Sequence, residues 1–324
     1  MEQPMRSTMR AIALDRFGGP EALELRTLPV PTVGPDEVLV RVEVAGVGEW
    51  DPFEREGGYA RMLGLTPQFP YVLGSEGAGK VVAVGEQVRR FREGDPVYAL
   101  GFLNPRGGFY AEYAAVNADL VSAIPGALTV DQAGVMGGVG ITALRGLDDT
   151  LALKQGESVM IFGASGGVGH MAVQLARRMG ARVLAVASGD DGVALAARLG
   201  ADAAVDGRKD DVLAAARAFA PGGLDAALLT AGGEAAETAL RALRDGGRVA
   251  YPGGVQPEPQ GRPALVRSSY NGEPDAEIIG RLNRLIERGP FDVHIARAFP
   301  LAQAAEAHLA LGGHYLGKLA LRVD

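Results

Sequence analysis

Residues Ser158 to Arg182 read SVMIFGASGGVGHMAVQLARRMGAR, and they indicate the fold more clearly than any other part of the chain. Its opening run, Val159–Phe162, has the length and apolar composition of a buried strand. A turn that contains four glycines follows, and beyond it the apolar side chains recur at the spacing of one helix face. A strand, a glycine-rich turn and a helix in this order form the opening of a dinucleotide-binding unit.

The turn has the properties that a bound pyrophosphate requires. Glycine lets the backbone turn sharply and approach an anion closely, and the helix N-terminus offers N–H groups and the positive end of its dipole. A second strand candidate, Val183–Ala187, continues the unit. The alternatives are a tight turn without a ligand and the similar turn of methyltransferases. The predicted cofactor-binding residues of the turn are Gly163, Ala164, Ser165, Gly166, Gly167 and Val168.

The composition of the 324-residue chain excludes several functions. A net charge of −7 argues against nucleic acid as a partner. The absence of cysteine excludes disulfides, thiolate catalysis and cysteine-ligated zinc. The sequence shows neither an apolar run of about 18 residues for a membrane span nor the apolar stretch of a signal peptide. We therefore expect a cytoplasmic protein that binds neither nucleic acid nor a membrane.

The order of elements predicts an α/β protein with two domains. From about Met9 to Ile124, short strand candidates separated by turn residues predict an antiparallel barrel-like domain. From about Thr129 to Gly254, strands alternate with helices such as Glu234–Leu243, which predicts a doubly wound parallel sheet. One strand candidate of the first region is Tyr110–Ala115. The predicted domains are a barrel-like catalytic domain of residues 1–125 and 272–324 and a dinucleotide-binding Rossmann domain of residues 126–271.

Four segments resemble, in the same order, signature sequences of the medium-chain dehydrogenase/reductase superfamily. Val84–Val97 resembles V-G-x-x-V-x-x-F-x-x-G-D-x-V, and Gly74–Gly79 resembles G-x-E-x-A-G. Gly163–Gly169 is close to the A-A-S-G-G-V-G of the zinc-independent quinone oxidoreductase branch, and Gly317–Leu319 resembles G-K-V. The resemblance implies a Rossmann domain, a GroES-like catalytic domain, a nicotinamide cofactor and oxidoreductase activity.

The resemblance also implies that zinc is absent. Zinc-dependent members bind the metal through cysteine and histidine, and the corresponding positions in this chain are Gly48, Ser75 and Gly138. None of the three offers a suitable donor, and only Gly101–Gly108 stands where the cysteine-rich lobe would be. The four histidines do not cluster in the sequence, so we interpret them as packing or surface residues. Hydride transfer to an electron-poor acceptor needs less help from a metal, because the cofactor carries the difficult chemistry.

The catalytic residue is not evident, and the candidates are Tyr59 and Asp51. Members of the branch commonly have Asn in A-G-V-N and Tyr five residues later, whereas this chain has Gly48 and Phe53. Asp51 is retained. Tyr59 and Tyr71 are candidate replacements for the missing phenol, with packing as the alternative.

Further cofactor contacts are predicted outside the glycine turn. Thr142 aligns with a threonine that approaches the nicotinamide amide, and its alternative role is a hydrogen bond within its own helix. Ala231-Gly232 and Gly253-Gly254 end two parallel strands, where ligands of open α/β sheets bind. Lys318 is a candidate close to the nicotinamide, with a solvated lysine as the alternative.

The choice of cofactor depends on the end of the second parallel strand. An acidic residue there would bind the ribose hydroxyls of NAD, but this chain has Ala187-Ser188. Ser188 leaves room for a 2′-phosphate and can donate to it. Asp190-Asp191 would repel a phosphate, unless they form the cap and first turn of the next helix. We predict NADPH, with NADH as the less favoured cofactor.

Together these features predict a zinc-free reductase that transfers hydride from NADPH to a small-molecule acceptor. The acceptor is a quinone or the β-carbon of an α,β-unsaturated carbonyl compound. The alternative is a nucleotide-binding scaffold or redox sensor without turnover. The segment Ala264–Tyr270 resembles the edge strand through which the branch forms homodimers, and an unpaired edge of this kind needs cover.

Overall fold

The computed structural model describes residues 7–323, which form two compact units. The first unit comprises the chain up to Gly138, Pro274–Ile279 and the residues from Ile295 onward. The second comprises Val139–Glu273 and Gly280–His294. In these residues, no helix is long and apolar enough to cross a membrane.

Short strands dominate the first part of the chain, and strands alternate with helices in the rest. The strands are β1 (Thr8–Leu14), β2 (Glu24–Pro29), β3 (Glu37–Val47), β4 (Tyr71–Val72), β5 (Glu76–Val84), β6 (Pro96–Leu100), β7 (Tyr113–Asn117), β8 (Val121–Ala123), β9 (Ser158–Phe162), β10 (Arg182–Ala187), β11 (Ala203–Asp206), β12 (Leu224–Leu229), β13 (Leu243–Pro252), β14 (Val266–Tyr270), β15 (Ile295–Pro300) and β16 (Lys318–Arg322). The α-helices are α1 (Asp51–Arg55), α2 (Gly58–Leu63), α3 (Val130–Leu144), α4 (Gly167–Arg178), α5 (Gly189–Arg198), α6 (Val212–Phe219), α7 (Glu234–Leu240), α8 (Ala276–Ile286) and α9 (Ala304–Ala310).

The first unit is built around the long strand β3. This strand pairs antiparallel with β5, β7 and β16, so that it joins segments from both ends of the chain in one sheet. The sheet has the order β15-β16-β3-β5-β6-β8, and a smaller sheet has the order β2-β1-β4. Apart from the parallel pair of β15 and β16, neighbouring strands run antiparallel. The predicted antiparallel, GroES-like domain is confirmed.

The second unit contains a parallel sheet of the order β11-β10-β9-β12-β13-β14. Strand β9 lies at its centre, and all five of its residues are buried. Both faces of such a sheet are covered, which explains why β9 reads as a continuous apolar run instead of an alternating one. Helices α4 and α5 pack against β9, β10 and β11. The predicted Rossmann architecture is confirmed.

Among the elements predicted above, two differ from the structure by three residues at one end. The strand predicted over Tyr110–Ala115 begins at Tyr113, because Tyr110 leaves the main ladder: its N–H donates to Leu73 and its carbonyl accepts from Ile12. The helix predicted over Glu234–Leu243 ends at Leu240, and Leu243 already pairs with β12.

The sequence places Thr142 in a helix as one alternative but gives no bounds for helix α3, which continues into a π-helical turn at Arg145–Thr150. Four of its residues are glycines, which weaken helix propensity by roughly 1 kcal/mol each. These glycines stabilise the fold by allowing close packing. A Cβ at Gly134 would lie 2.9 Å from the carbonyl oxygen of Val44, and a Cβ at Gly140 would lie 2.9 Å from Leu282. The glycines therefore allow a close approach that local propensity does not reveal.

Candidate active site and cofactor-binding turn

The glycine turn of the second unit joins β9 to α4. Gly163 has a left-handed backbone with φ of +83°, and its N–H and that of Ala164 both donate to the carbonyl of Val186 at 2.9 Å. Gly166 is the N-cap of α4 and has no side chain to occupy the helix end. The first-turn N–H groups of α4 therefore remain available to an anion.

The glycines of the turn have separate roles. A Cβ at Gly169 would lie under 3.0 Å from the backbone of Gly163 and Ala164, so this position serves the packing of helix on strand. A Cβ at Gly166 would have one neighbour, the Gly163 carbonyl at 3.5 Å, which is ordinary contact. Gly166 thus faces open space, which is what a pyrophosphate would need.

The other predicted cofactor residues of the second unit lie at the carboxyl ends of neighbouring strands. Ala231 and Gly232 follow β12, and Gly232 has no room for a side chain beside the carbonyls of Gln256 and Pro257. Gly253 and Gly254 follow β13. Thr142 lies against Gly272, where a Cβ would collide with the threonine hydroxyl. The sheet places these residues, Ser188 and the turn Gly163–Val168 in the same unit, whereas Lys318 belongs to the first unit.

Ser188 follows β10 and is the N-cap residue of α5, but its hydroxyl makes no capping bond. The oxygen is buried and has no hydrogen-bond partner among residues 7–323. Asp190 and Asp191 form the first turn of α5, as one of the two alternatives for them predicts. The Lys209 ammonium lies 2.9 Å from the Asp190 carboxylate, so a cation that sequence reasoning did not identify offsets one of the two acids.

In the first unit, Asp51 opens helix α1 and is completely buried. Its Oδ2 accepts hydrogen bonds from the Gly48 N–H and the Tyr110 hydroxyl, both at 2.8 Å. Burial outweighs these bonds and raises the pKa of the Asp51 carboxyl to about 6. The second oxygen, Oδ1, has no hydrogen-bond partner in the described part of the chain.

A directed chain of hydrogen bonds leads to Asp51. Arg55 Nη1 lies 2.9 Å from Nδ1 of His308, and because a guanidinium has no acceptor, Nδ1 must accept. The imidazole proton is therefore on Nε2, which lies 3.2 Å from the Tyr110 hydroxyl and donates to it. Tyr110 then directs its own proton to Asp51. Burial and the Arg55 charge lower the pKa of His308 to about 3, so the ring stays neutral.

Glu54 is a second buried carboxyl, one helical turn beyond Asp51. The Tyr71 hydroxyl donates to its Oε1, while Oε2 lacks a partner among the described residues. Burial, followed by the charge of Asp51, raises the pKa of Glu54 to about 7. Sequence reasoning singled out Asp51 and Tyr71 but not Glu54, although the spacing of three residues places both acids on one helix face.

Tyr59 lies in α2 and packs edge-on against Phe53 and Phe102, with ring centroids 4.8 and 4.9 Å apart. Burial and the carboxyl groups of Glu54 and Asp51 raise the pKa of its phenol. Its hydroxyl is therefore protonated at neutral pH and can donate.

Gly48, Ser75 and Gly138, which the resemblance predicts to correspond to zinc ligands, lie around Trp50. Ser75 accepts a hydrogen bond from the indole Nε1 at 3.1 Å, and Gly48 and Gly138 face the ring. No group of three or more histidine, cysteine or acidic side chains that could hold a metal ion is found within residues 7–323. The residues at these positions do not fit a zinc ion.

Comparisons with known proteins agree with the two units. The family model described as alcohol dehydrogenase GroES-like domain matches residues 34–126, and the model described as zinc-binding dehydrogenase matches residues 167–270. The quinone oxidoreductase of Mus musculus is 32% identical over 97% of each chain. A solved NAD-dependent alcohol dehydrogenase is 29% identical, with a TM-score of 0.87 over 98% of this chain and 100% of that chain. A mycobacterial protein complexed with NADPH is 27% identical, with a TM-score of 0.80 over 97% of this chain and 100% of that chain.

A Rossmann unit with this glycine turn and a GroES-like unit define a nicotinamide-dependent oxidoreductase. The chain belongs to the medium-chain dehydrogenase/reductase superfamily, as a quinone oxidoreductase-like member. The predicted family, fold class and oxidoreductase activity on a small-molecule substrate are confirmed. The preferred cofactor, the acceptor and the roles of individual residues stay predictions.

Proposed function

We propose that the protein is a zinc-free, NADPH-dependent reductase that transfers hydride to a quinone or to an α,β-unsaturated carbonyl compound. The observation that carries the proposal is the turn Gly163–Val168, which presents helix N–H groups and open space to a pyrophosphate. The similarity to quinone oxidoreductases supports the class of acceptor.

In this proposal the second unit binds and orients the cofactor through the turn, Thr142 and the loops after β12 and β13. The bound cofactor supplies the hydride. The reduced acceptor also gains a proton, so a donor is required. The protonated hydroxyl of Tyr59 is the candidate donor, with solvent as the alternative source. Asp51 and Glu54 raise the pKa of Tyr59, which keeps this hydroxyl protonated but also makes it a weaker acid.

The proposed preference for NADPH is based on Ser188, which follows β10, and on the charges close to it. The hydroxyl of Ser188 lacks a partner among the described residues and is suited to a phosphate oxygen. Lys209 offsets the charge of Asp190, which reduces the repulsion that the acids would exert. NADH remains the alternative cofactor, since a similar solved structure is an NAD-dependent enzyme.

The test is oxidation of NADPH against quinones, enones and enoyl thioesters. We expect turnover with at least one class of acceptor. A Gly166→Val variant is the matched control, and it should lose this turnover. NADPH binding without turnover on any acceptor would support the alternative, a nucleotide-binding scaffold or redox sensor, which the absence of the branch's Asn and Tyr at Gly48 and Phe53 favours.

The absence of zinc is tested separately by elemental analysis after mild chelation. We expect negligible zinc and unchanged turnover, because Gly48, Ser75 and Gly138 offer no suitable donors for that site. Stoichiometric zinc on which turnover depends would contradict the proposal. Residence in the cytoplasm stays a prediction.

A further inference from the structure

Trp50 is the single tryptophan of the chain, and it lies between the three positions that correspond to the zinc ligands. A Cβ at Gly48 would lie under 3.0 Å from the indole ring, and a Cβ at Gly138 would lie 3.2 Å from Cη2 of the ring. The indole Nε1 donates to Ser75 at 3.1 Å. The three positions therefore converge on one aromatic ring, which fills the space between them.

The size of the neighbouring residues matches this arrangement. A cysteine at position 48 would place its Cβ inside the volume that the ring occupies, so glycine and tryptophan at these two positions depend on each other. Gly138 likewise leaves room for the edge of the ring, and its N–H donates to Oε2 of Glu76 at 2.7 Å. The glycines at positions 48 and 138 and the indole at position 50 therefore fit one another sterically.

A positive charge lies beside the ring. The Lys318 ammonium is 3% exposed as a side chain and stands 4.8 Å from the centroid of Trp50. It donates to the carbonyl of Val47 at 3.1 Å. It also lies 3.0 Å from Oε1 of Glu76, although the angles at this oxygen do not meet hydrogen-bond geometry, so the contact is an ion pair. A buried ammonium of this kind needs such compensation.

We propose that Trp50 and Lys318 together replace the metal ion of the zinc-binding members of the family. The indole takes the ion's space, and the ammonium supplies a fixed positive charge to the surrounding buried acids. Glu76 balances that charge directly. Asp51 also experiences it, because Lys318 is one of the groups that lower the pKa of its carboxyl against the effect of burial.

The first test is a double-mutant cycle on thermal unfolding. Gly48→Ala should lower the unfolding midpoint by several degrees in the presence of Trp50, because the new Cβ meets the ring. The same substitution in a Trp50→Ala background should have a much smaller effect. Equal effects in both backgrounds would mean that the ring does not occupy this space, and would overturn the proposal.

The second test restores the ligands. A variant with Gly48→Cys, Ser75→His and Gly138→Cys is titrated with Co²⁺, whose thiolate complexes absorb in the visible and near-ultraviolet range. We expect no complex while Trp50 is present and a one-to-one complex when Trp50→Ala is added. Circular dichroism verifies folding. Equal Co²⁺ binding with and without Trp50, or none in the folded Trp50→Ala variant, would overturn the proposal.

The third test concerns the charge. Lys318→Met should shift the fluorescence of Trp50, the single tryptophan, and should lower the unfolding midpoint because Glu76 loses its cation. Lys318→Met combined with Glu76→Gln should recover most of the midpoint while the shift in fluorescence persists. Lys80→Met, at an exposed position, is the control. Unchanged fluorescence in Lys318→Met would overturn the proposal that the Lys318 ammonium supplies the positive charge of the metal ion. None of these readouts depends on turnover.

Discussion

Burial changes the protonation of two acidic side chains, Asp51 and Glu54. Both carboxyl groups have raised pKa values, about 6 and about 7, since burial penalises their charged forms. The folded state therefore holds protons that the unfolded chain releases at its ordinary pKa values of 3.8 and 4.5. The free energy of unfolding consequently falls as the pH rises from about 4 to about 7.

Glu54→Gln is expected to remove part of this pH dependence. The amide keeps an acceptor for Tyr71 but carries no charge, so the variant should be more stable than the parent at mildly alkaline pH, by about 1–3 kcal/mol. Urea unfolding on both sides of neutral pH measures the difference. Glu86→Gln, at an exposed position, is the matched control. A parental pH slope in Glu54→Gln would contradict the prediction.

Ser188 is the residue on which the choice of cofactor depends. Ser188→Asp should shift the preference from NADPH towards NADH by about tenfold or more, because a carboxylate repels the 2′-phosphate and accepts from ribose hydroxyls. Steady-state kinetics with both cofactors measure the ratio. Ser188→Ala removes the hydroxyl without adding charge and should weaken NADPH alone. A parent protein that prefers NADH would show that the proposed cofactor is wrong.

Sequence reasoning finds some of these residues and misses others for a physical reason. Asp51 is found because it lies in a segment that resembles the family. The bonds that fix it come from Tyr110, which is 59 residues away, and through it from His308, which is 198 residues from Tyr110. Such contacts depend on the tertiary fold, and no local spacing in the sequence indicates them.

The turn between β9 and α4 is the element that the sequence predicts best. The apolar run predicts the strand, the glycines predict the turn, and the apolar spacing beyond them predicts the helix. These three local predictions agree with one another. Helix α3 is the opposite case, because its glycines contradict local propensity and are explained only by the neighbours Val44 and Leu282. Elements are thus predictable where local preference and tertiary packing agree.

Gly166→Val is expected to abolish cofactor binding without loss of the fold. The side chain would occupy the space at the helix N-terminus that the pyrophosphate needs, while an added Cβ meets only the Gly163 carbonyl at 3.5 Å. Calorimetric titration with NADPH measures the affinity.

Gly169→Ala is the contrasting variant. Its Cβ would press on the backbone of Gly163 and Ala164, so the unfolding midpoint itself should fall. Parental affinity in a folded Gly166→Val variant would show that the cofactor does not bind at this turn.

One edge of the parallel sheet in the second unit is a candidate surface for pairing between two copies of the protein. Strand β14 pairs with β13 on one side and is the last strand of the sheet within the described residues. Val266 is 56% exposed there, although it is large and apolar. An edge with such a residue is suited to pairing with a second copy about a two-fold axis.

Val266→Pro should weaken this homodimer, because proline removes a backbone donor from the edge. Light scattering at micromolar concentration measures the mass. Leu309→Ser alters another exposed apolar residue and should leave the mass unchanged. A parent mass close to that of one 33.6 kDa chain would rule out the dimer.

The pairing of β3 with β16 has a consequence for biosynthesis. Leu319 pairs with Val47, and Arg322 pairs with Val44. The central strand of the first unit, β3, therefore pairs with a strand that is translated more than 270 residues later. Most of the second unit, by contrast, leaves the ribosome as one continuous stretch. The nascent chain should therefore complete its nucleotide-binding sheet first. Until β16 has been translated, the second half of β3 keeps an unpaired edge, and during this interval the chain most needs a chaperone.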